Sequence, residues 1–95
     1  MKKCKGSFVV LNKRGLHARP SVQLAKCAST FKAHVTLRCA NASLSVDAKS
    51  SLQLLVLSAT QGTEISVEAE GEDADLAVDT LVQFAKERFC KEEGG

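Results

Sequence analysis

Ninety-five residues with a formal charge of +2, 44% apolar and 25% charged side chains describe one globular domain with a single modest core. The charge is too small and too scattered to predict nucleic-acid binding, and no run of about 18 apolar residues exists to cross a membrane. The opening MKKCKGSFVVLNK is basic, but its apolar stretch over 8–11 is too short for a secretory signal, so the expected compartment is the cytoplasm.

Residues 5–11 (KGSFVVL) predict a strand, and 12–16 a loop. The spacing over 18–30 predicts a helix with Val22, Ala25 and Ala28 on its inner face and Leu24 beside them; Phe31 then closes the core. Residues 33–39 alternate, with Val35, Leu37 and Cys39 on one side; Asn41 marks a turn, and 44–48 alternate again to complete a hairpin. Residues 50–58 predict a short apolar helix, with Leu54 and Leu57 inward and Ser50 and Gln53 in a capping box. After a turn at Gln61-Gly62, residues 64–70 alternate strictly, with Ile65, Val67 and Ala69 inward. The longest helix is expected over 72–89. Glu72, Asp73 and Asp75 complement its dipole, and its buried stripe is Ala74, Ala77, Val78, Leu81, Val82, Ala85 and Phe89. Residues 91–95 read as a solvated tail around a core of about 5–90.

The order β-α-β-β-α-β-α predicts an α+β open-faced two-layer β-sandwich: a four-stranded, mostly antiparallel sheet with three helices on one face. The other face is open to water, which suits Thr36, Arg38, Ser66 and Glu68. The same order describes an RNA-recognition fold, but that function needs exposed aromatics for base stacking. Trp and Tyr are absent, and Phe8, Phe31, Phe84 and Phe89 fall in core patterns, so no nucleic-acid partner is expected. A standalone enzyme is not expected either, because the chain has no carboxylate pair or P-loop and is too small to enclose a substrate.

Cys4, Cys27, Cys39 and Cys90 lack any Cys-x-x-Cys spacing and, in a reducing cytosol, are expected to be unpaired thiols. His34 and Cys39 are too few for a zinc site, so no metal and no cofactor are expected.

The run NKRGLHARPS over 12–21 carries the chemistry. Gly15 permits a sharp turn and Pro20 suits a first helical turn, so His17 stands just ahead of a helix N-terminus. Unpaired backbone N–H groups and the positive end of the helix dipole favour an anion there, and the N–H groups of Ala18 and Arg19 are the expected phosphate donors. The Arg19 side chain adds a permanent charge and a planar fork suited to phosphate oxygens. A neutral imidazole in this place can accept a phosphoryl group. The same pattern also describes a histidine that merely flanks a helix, and these ten residues leave both readings open.

GLHARPS resembles the active-site signature of the HPr family, the histidine-containing phosphocarriers of the bacterial phosphoenolpyruvate-dependent phosphotransferase system. DAKSSLQL resembles that family's second signature, and TQGTEISVEAEGED its last strand and the start of its last helix. The match runs in order from about Ser7 to Glu87. The resemblance implies that His17 takes a phosphoryl group on Nδ1 from enzyme I, with Arg19 assisting, and passes it to IIA domains of sugar permeases or to regulatory paralogs. It implies that Ser50 is a regulatory serine for an HPr kinase/phosphorylase, although Ser50 is equally a sound helix N-cap. It places a docking surface for partners at Ser51, Leu52, Leu55 and Val56, near His17; each of these apolar residues is as readily read as core. Transient docking of this kind suits a monomer.

The chain departs from the family pattern at Ser51, usually a bulky apolar position, at Ser58, where glycine is common, and at Arg14, often smaller or uncharged. Its hairpin over 38–45 is slightly longer than usual. These differences bear on which partners bind. Two alternatives stay open: a binding module controlled through Ser50 alone, which the presence of His17 opposes, and a carrier in a nitrogen-type phosphotransfer chain.

Overall fold

The strict alternation of residues 64–70 becomes the second strand of the sheet, paired on both sides and therefore sampled by neighbours along its whole length. The computed structural model describes residues 2–11, 15, 18–39, 44–57 and 60–92, the last five by their backbone alone. In chain order the elements are β1 (Lys3–Val9), α1 (Ala18–Ala28), β2 (His34–Cys39), β3 (Ser45–Asp47), α2 (Ser51–Leu57), β4 (Glu64–Glu70) and α3 (Ala74–Glu92). They form the expected α+β architecture. The four strands lie in one sheet in the order β1-β4-β2-β3, and every pairing between them is antiparallel.

Alternation decides the faces. Phe8, Val35, Leu37, Cys39, Val46, Ile65, Val67 and Ala69 point inward and are buried. The opposite face carries Lys3 and Lys5 across from Glu70 and Glu68, with N–O separations of 3.7 and 3.8 Å. These cross-strand pairs explain why β1 starts two residues earlier than expected. Lys3 and Lys5 are rungs opposite acids more than sixty positions away. β1 also ends earlier, at Val9, because its partner strand ends at Glu64. Val10 is handed on to the following turn, with its N–H bonded to the Thr63 carbonyl at 2.9 Å and its carbonyl accepting from Gly62 N–H at 2.8 Å. β3 is likewise shorter than 44–48. Past Asp47 the Lys49 N–H bonds the Asp47 side chain at 2.9 Å, which turns the chain toward α2.

α1 departs from the sequence reading in two respects: it ends at Ala28 rather than at residue 30, and its inner face differs. Val22, expected in the core, is 42% exposed, and the buried positions are Pro20, Ser21, Leu24, Ala25 and Ala28. Ser21, Leu24, Ala25 and Ala28 follow the i, i+3, i+4, i+7 spacing of a single face. The small hydroxyl residue completes that face, whereas a reading keyed to apolar side chains prefers the valine. Phe31 is half-buried against the core as expected.

α3 presents Ala74, Ala77, Val78, Leu81 and Ala85 to the core, with Val82 half-buried beside them. It begins at Ala74 rather than Glu72, because residues 71–73 form a turn of their own. It also continues through Glu92, so the first two residues of the expected tail are helical. Gly71 has φ 147°, and a Cβ there would lie 2.8 Å from the Ala33 Cα. Only glycine allows both that backbone angle and that approach.

Asp73 then fastens the start of α3 to the α1–β2 connection. Its two carboxylate oxygens accept from the backbone N–H groups of Lys32 at 2.9 Å and Ala33 at 2.8 Å. Lys49 holds the same connection from the other side, donating from Nζ to the Phe31 carbonyl at 2.8 Å. These bonds hold the Asp73 carboxyl below the usual carboxylate range; the bond from Lys32 N–H contributes most. The expected turn at Asn41 and the side chains of Phe89 and Cys90 lie outside the described residues.

Candidate functional site

The site is built on the start of α1. Gly15 is buried with φ 72°, the left-handed backbone that lets the chain turn sharply ahead of the helix. α1 opens at Ala18, immediately after His17 in sequence. His17 itself, with Arg14 and Ser58, lies outside the described residues. Ala18 and Arg19 are exposed, and Pro20 is buried beneath them. The first turn thus offers the N–H groups of Ala18 and Arg19, neither of which has a carbonyl four residues back within the helix, while Pro20 has no N–H to lose. No acidic residue stands in this turn. From residue 10 to residue 62 the chain carries seven basic residues and one acid, Asp47. This half of the sequence therefore favours an anion.

α2 packs against α1 and β3. The Ser50 hydroxyl accepts from Gln53 N–H at 3.3 Å, which is the N-cap expected of it. The reciprocal half of the capping box is not made. Gln53 Oε1 accepts from Asp47 N–H at 2.9 Å, and the Ser50 N–H is bonded to the Asp47 carbonyl at 3.1 Å. The turn before α2 bonds to itself, so Gln53 serves Asp47 instead.

Leu54 and Leu57 are buried, as the spacing requires. Leu52 and Val56 are 75% and 64% exposed, Leu55 is 38% exposed, and Ser51 is half-buried. The exposed apolar set therefore lies on an outer face of a helix without a single charge.

His34 and Cys39 do not meet. His34 is exposed and Cys39 buried, since five positions apart on a strand places them on opposite faces. Among the described residues no three His, Cys, Asp or Glu side chains gather as metal ligands, and no helix is long and apolar enough to cross a membrane. Cys4, Cys27 and Cys39 are free thiols; burial pushes the Cys27 and Cys39 thiols up, so both stay protonated.

One residue near the site escaped the sequence reading. Gln23 is half-buried in α1, and its side-chain oxygen Oε1 is buried with no hydrogen-bond partner among the described residues. The available signal was its place four residues after Arg19.

Comparison with known proteins bears on this arrangement. Residues 4–87 match the family described as "PTS HPr component phosphorylation site". The phosphocarrier protein HPr of Xylella fastidiosa (strain 9a5c) is 38% identical over 82 residues, covering 86% of this chain and 90% of that protein. The solved histidine-containing phosphocarrier protein of Mycoplasma superposes with a TM-score of 0.84 at 34% identity, covering 90% of this chain and 96% of that one. A crystal structure described as an HPr dimer from Thermoanaerobacter tengcongensis superposes with a TM-score of 0.70 at 34% identity, covering 84% of this chain and 90% of that one.

Proposed function

Because this chain belongs to the HPr family of phosphocarrier proteins, we propose that His17 accepts a phosphoryl group from enzyme I and passes it to IIA domains of sugar permeases or to regulatory paralogs. The observation that carries this reading is the start of α1 directly after His17, with Arg19 exposed in a first turn that holds no acid of its own. In the transfer the imidazole nitrogen attacks phosphorus, a P–N bond forms, and the donor's bond to phosphorus breaks. The three phosphoryl oxygens then face the N–H groups of Ala18 and Arg19 and the Arg19 guanidinium. These donors stabilise the group through hydrogen bonds, which release it when an acceptor approaches.

Incubation with enzyme I and labelled phosphoenolpyruvate tests the proposal. His17→Ala abolishes the acid-labile label; a His17→Ala protein that still takes up acid-labile phosphate overturns the assignment. Using enzyme I of a nitrogen-type chain as the alternative donor decides which system the carrier serves.

Within the same reading the 95 residues form one HPr-like domain in the cytoplasm, and partners dock on Ser51, Leu52, Leu55 and Val56. The exposure of those three apolar side chains beside α1 supports this surface. Ser50 is the regulatory serine. Its half-buried hydroxyl already caps α2, and a phosphate is favoured at that end of a helix. Treatment with an HPr kinase and ATP, followed by mass spectrometry, locates the added phosphate on Ser50 or refutes the role. Transient docking suits a monomer, whereas one solved relative is described as a dimer; sedimentation of the purified chain separates the two.

A further inference from the structure

We infer that Gln23 positions Arg19, with its buried amide oxygen accepting a hydrogen bond from the guanidinium when Arg19 turns to face the phosphoryl group. This role rests on the carrier reading above. The motivating observation is an acceptor out of place. Gln23 Oε1 is buried without a partner among the described residues, and a buried polar atom left unpaired costs stability that an apolar side chain of the same shape would not.

Helix geometry supplies a donor. Residues 19 and 23 are four apart, so their side chains share a face of α1, and the unbranched side chain of Gln23 leans back toward the N-terminus where Arg19 stands. Arg19 is exposed and has five N–H donors, more than a phosphoryl group needs.

The chemistry favours an amide over a carboxylate in this place. A carboxylate would fix the guanidinium equally well but would neutralise the charge meant for phosphate. A neutral carbonyl orients the fork and leaves its charge intact. α1 contains no acidic residue at all, in keeping with that requirement.

The test compares wild type, Gln23→Met, Arg19→Ala and the double variant, with phosphoenolpyruvate-charged enzyme I as donor and with phosphoramidate as a chemical donor that bypasses enzyme I. Gln23→Met keeps the shape and deletes the acceptor. It is expected to slow phosphoryl acceptance roughly three- to tenfold, the effect of one lost hydrogen bond, while the melting temperature holds or rises. The double variant is expected to be no slower than Arg19→Ala. In the phosphorylated protein the Arg19 Nε–H is expected to exchange with water more slowly in wild type than in Gln23→Met.

The inference is overturned if Gln23→Met accepts phosphate at the wild-type rate, if its rate falls only as its melting temperature falls, or if the double variant loses the full Gln23 factor on top of Arg19→Ala. Labelling of wild type by phosphoramidate alone refutes the enzyme I assignment, and the Gln23 comparison is then decided on the chemical rates. Labelling by neither donor overturns both proposals. Should Gln23→Met fail to fold, an NMR contact between the Arg19 guanidinium and the Gln23 amide in phosphorylated wild type decides the matter, its absence counting against the inference.

Discussion

The starts of α1 and α3 are the same physical object put to opposite uses. Both expose backbone N–H groups and the positive end of a helix dipole. α3 supplies its own anions. Asp75 stands in its first turn, where the Leu76 N–H bonds its carboxylate at 2.9 Å and Lys2 stands 3.5 Å away. Asp73, just ahead, accepts its two bonds from the connection before β2. α1 has no such acid. Ten of the eleven acidic residues fall after residue 62, in β4, α3 and their flanks. A helix start furnished with acids of its own is a fastener, while one with no acid in its first turn suits an anion from outside.

Exchanging the two designs tests that contrast. The largest expected effect is the loss of the nucleophile: His17→Ala removes phosphoryl acceptance altogether, whereas substitutions at the start of α3 leave it intact. Gly71→Ala belongs to the second kind. It forces a side chain into a backbone angle reserved for glycine and against the Ala33 backbone, and is expected to lower stability by about 1–3 kcal/mol, measured by urea unfolding, with phosphoryl acceptance per folded molecule unchanged.

Ala18→Asp gives α1 the filled start that α3 has. The acid is expected to stabilise the helix by about 0.3–1 kcal/mol through the dipole while slowing phosphoryl acceptance roughly tenfold by repelling the incoming group. A variant that is both less stable and equally fast contradicts the contrast.

The smallest effect concerns pH. The Asp73 carboxyl is held below its ordinary value in the folded state, so its stabilisation is present above the unfolded value and is lost as pH falls through the folded one. The urea midpoint of wild type is therefore expected to fall more steeply below about pH 4 than that of Asp73→Asn. Parallel curves would show that the Asp73 bonds do not depend on its charge.

What was legible in the sequence follows the range of the interaction. β4 and the first residue of α1 were read correctly because each is set by its own pattern, strict alternation in one and a glycine turn followed by proline in the other. The left-handed turn at Gly15 and the proline in the first turn of α1 were readable for the same reason. Lys3 and Cys4 were left out of the first strand because Glu70 and Ala69, which pair with them, are far away in sequence. Val22 displaced Ser21 because apolarity was weighed above position. Gln53 fits a capping box locally, yet Asp47 takes its side chain. Asp73 was read as a dipole residue because nothing nearby announces a bond to amides forty positions upstream.

Two distant side chains hold the connection between α1 and β2 by its main chain: two amides by Asp73 and one carbonyl by Lys49. The side chains of Phe31 and Lys32 take no part in these grips. Lys32, which is exposed, can therefore be rewritten without loosening these bonds, whereas Phe31 must still fill its place against the core. The constraint falls instead on the two distant residues that do the holding.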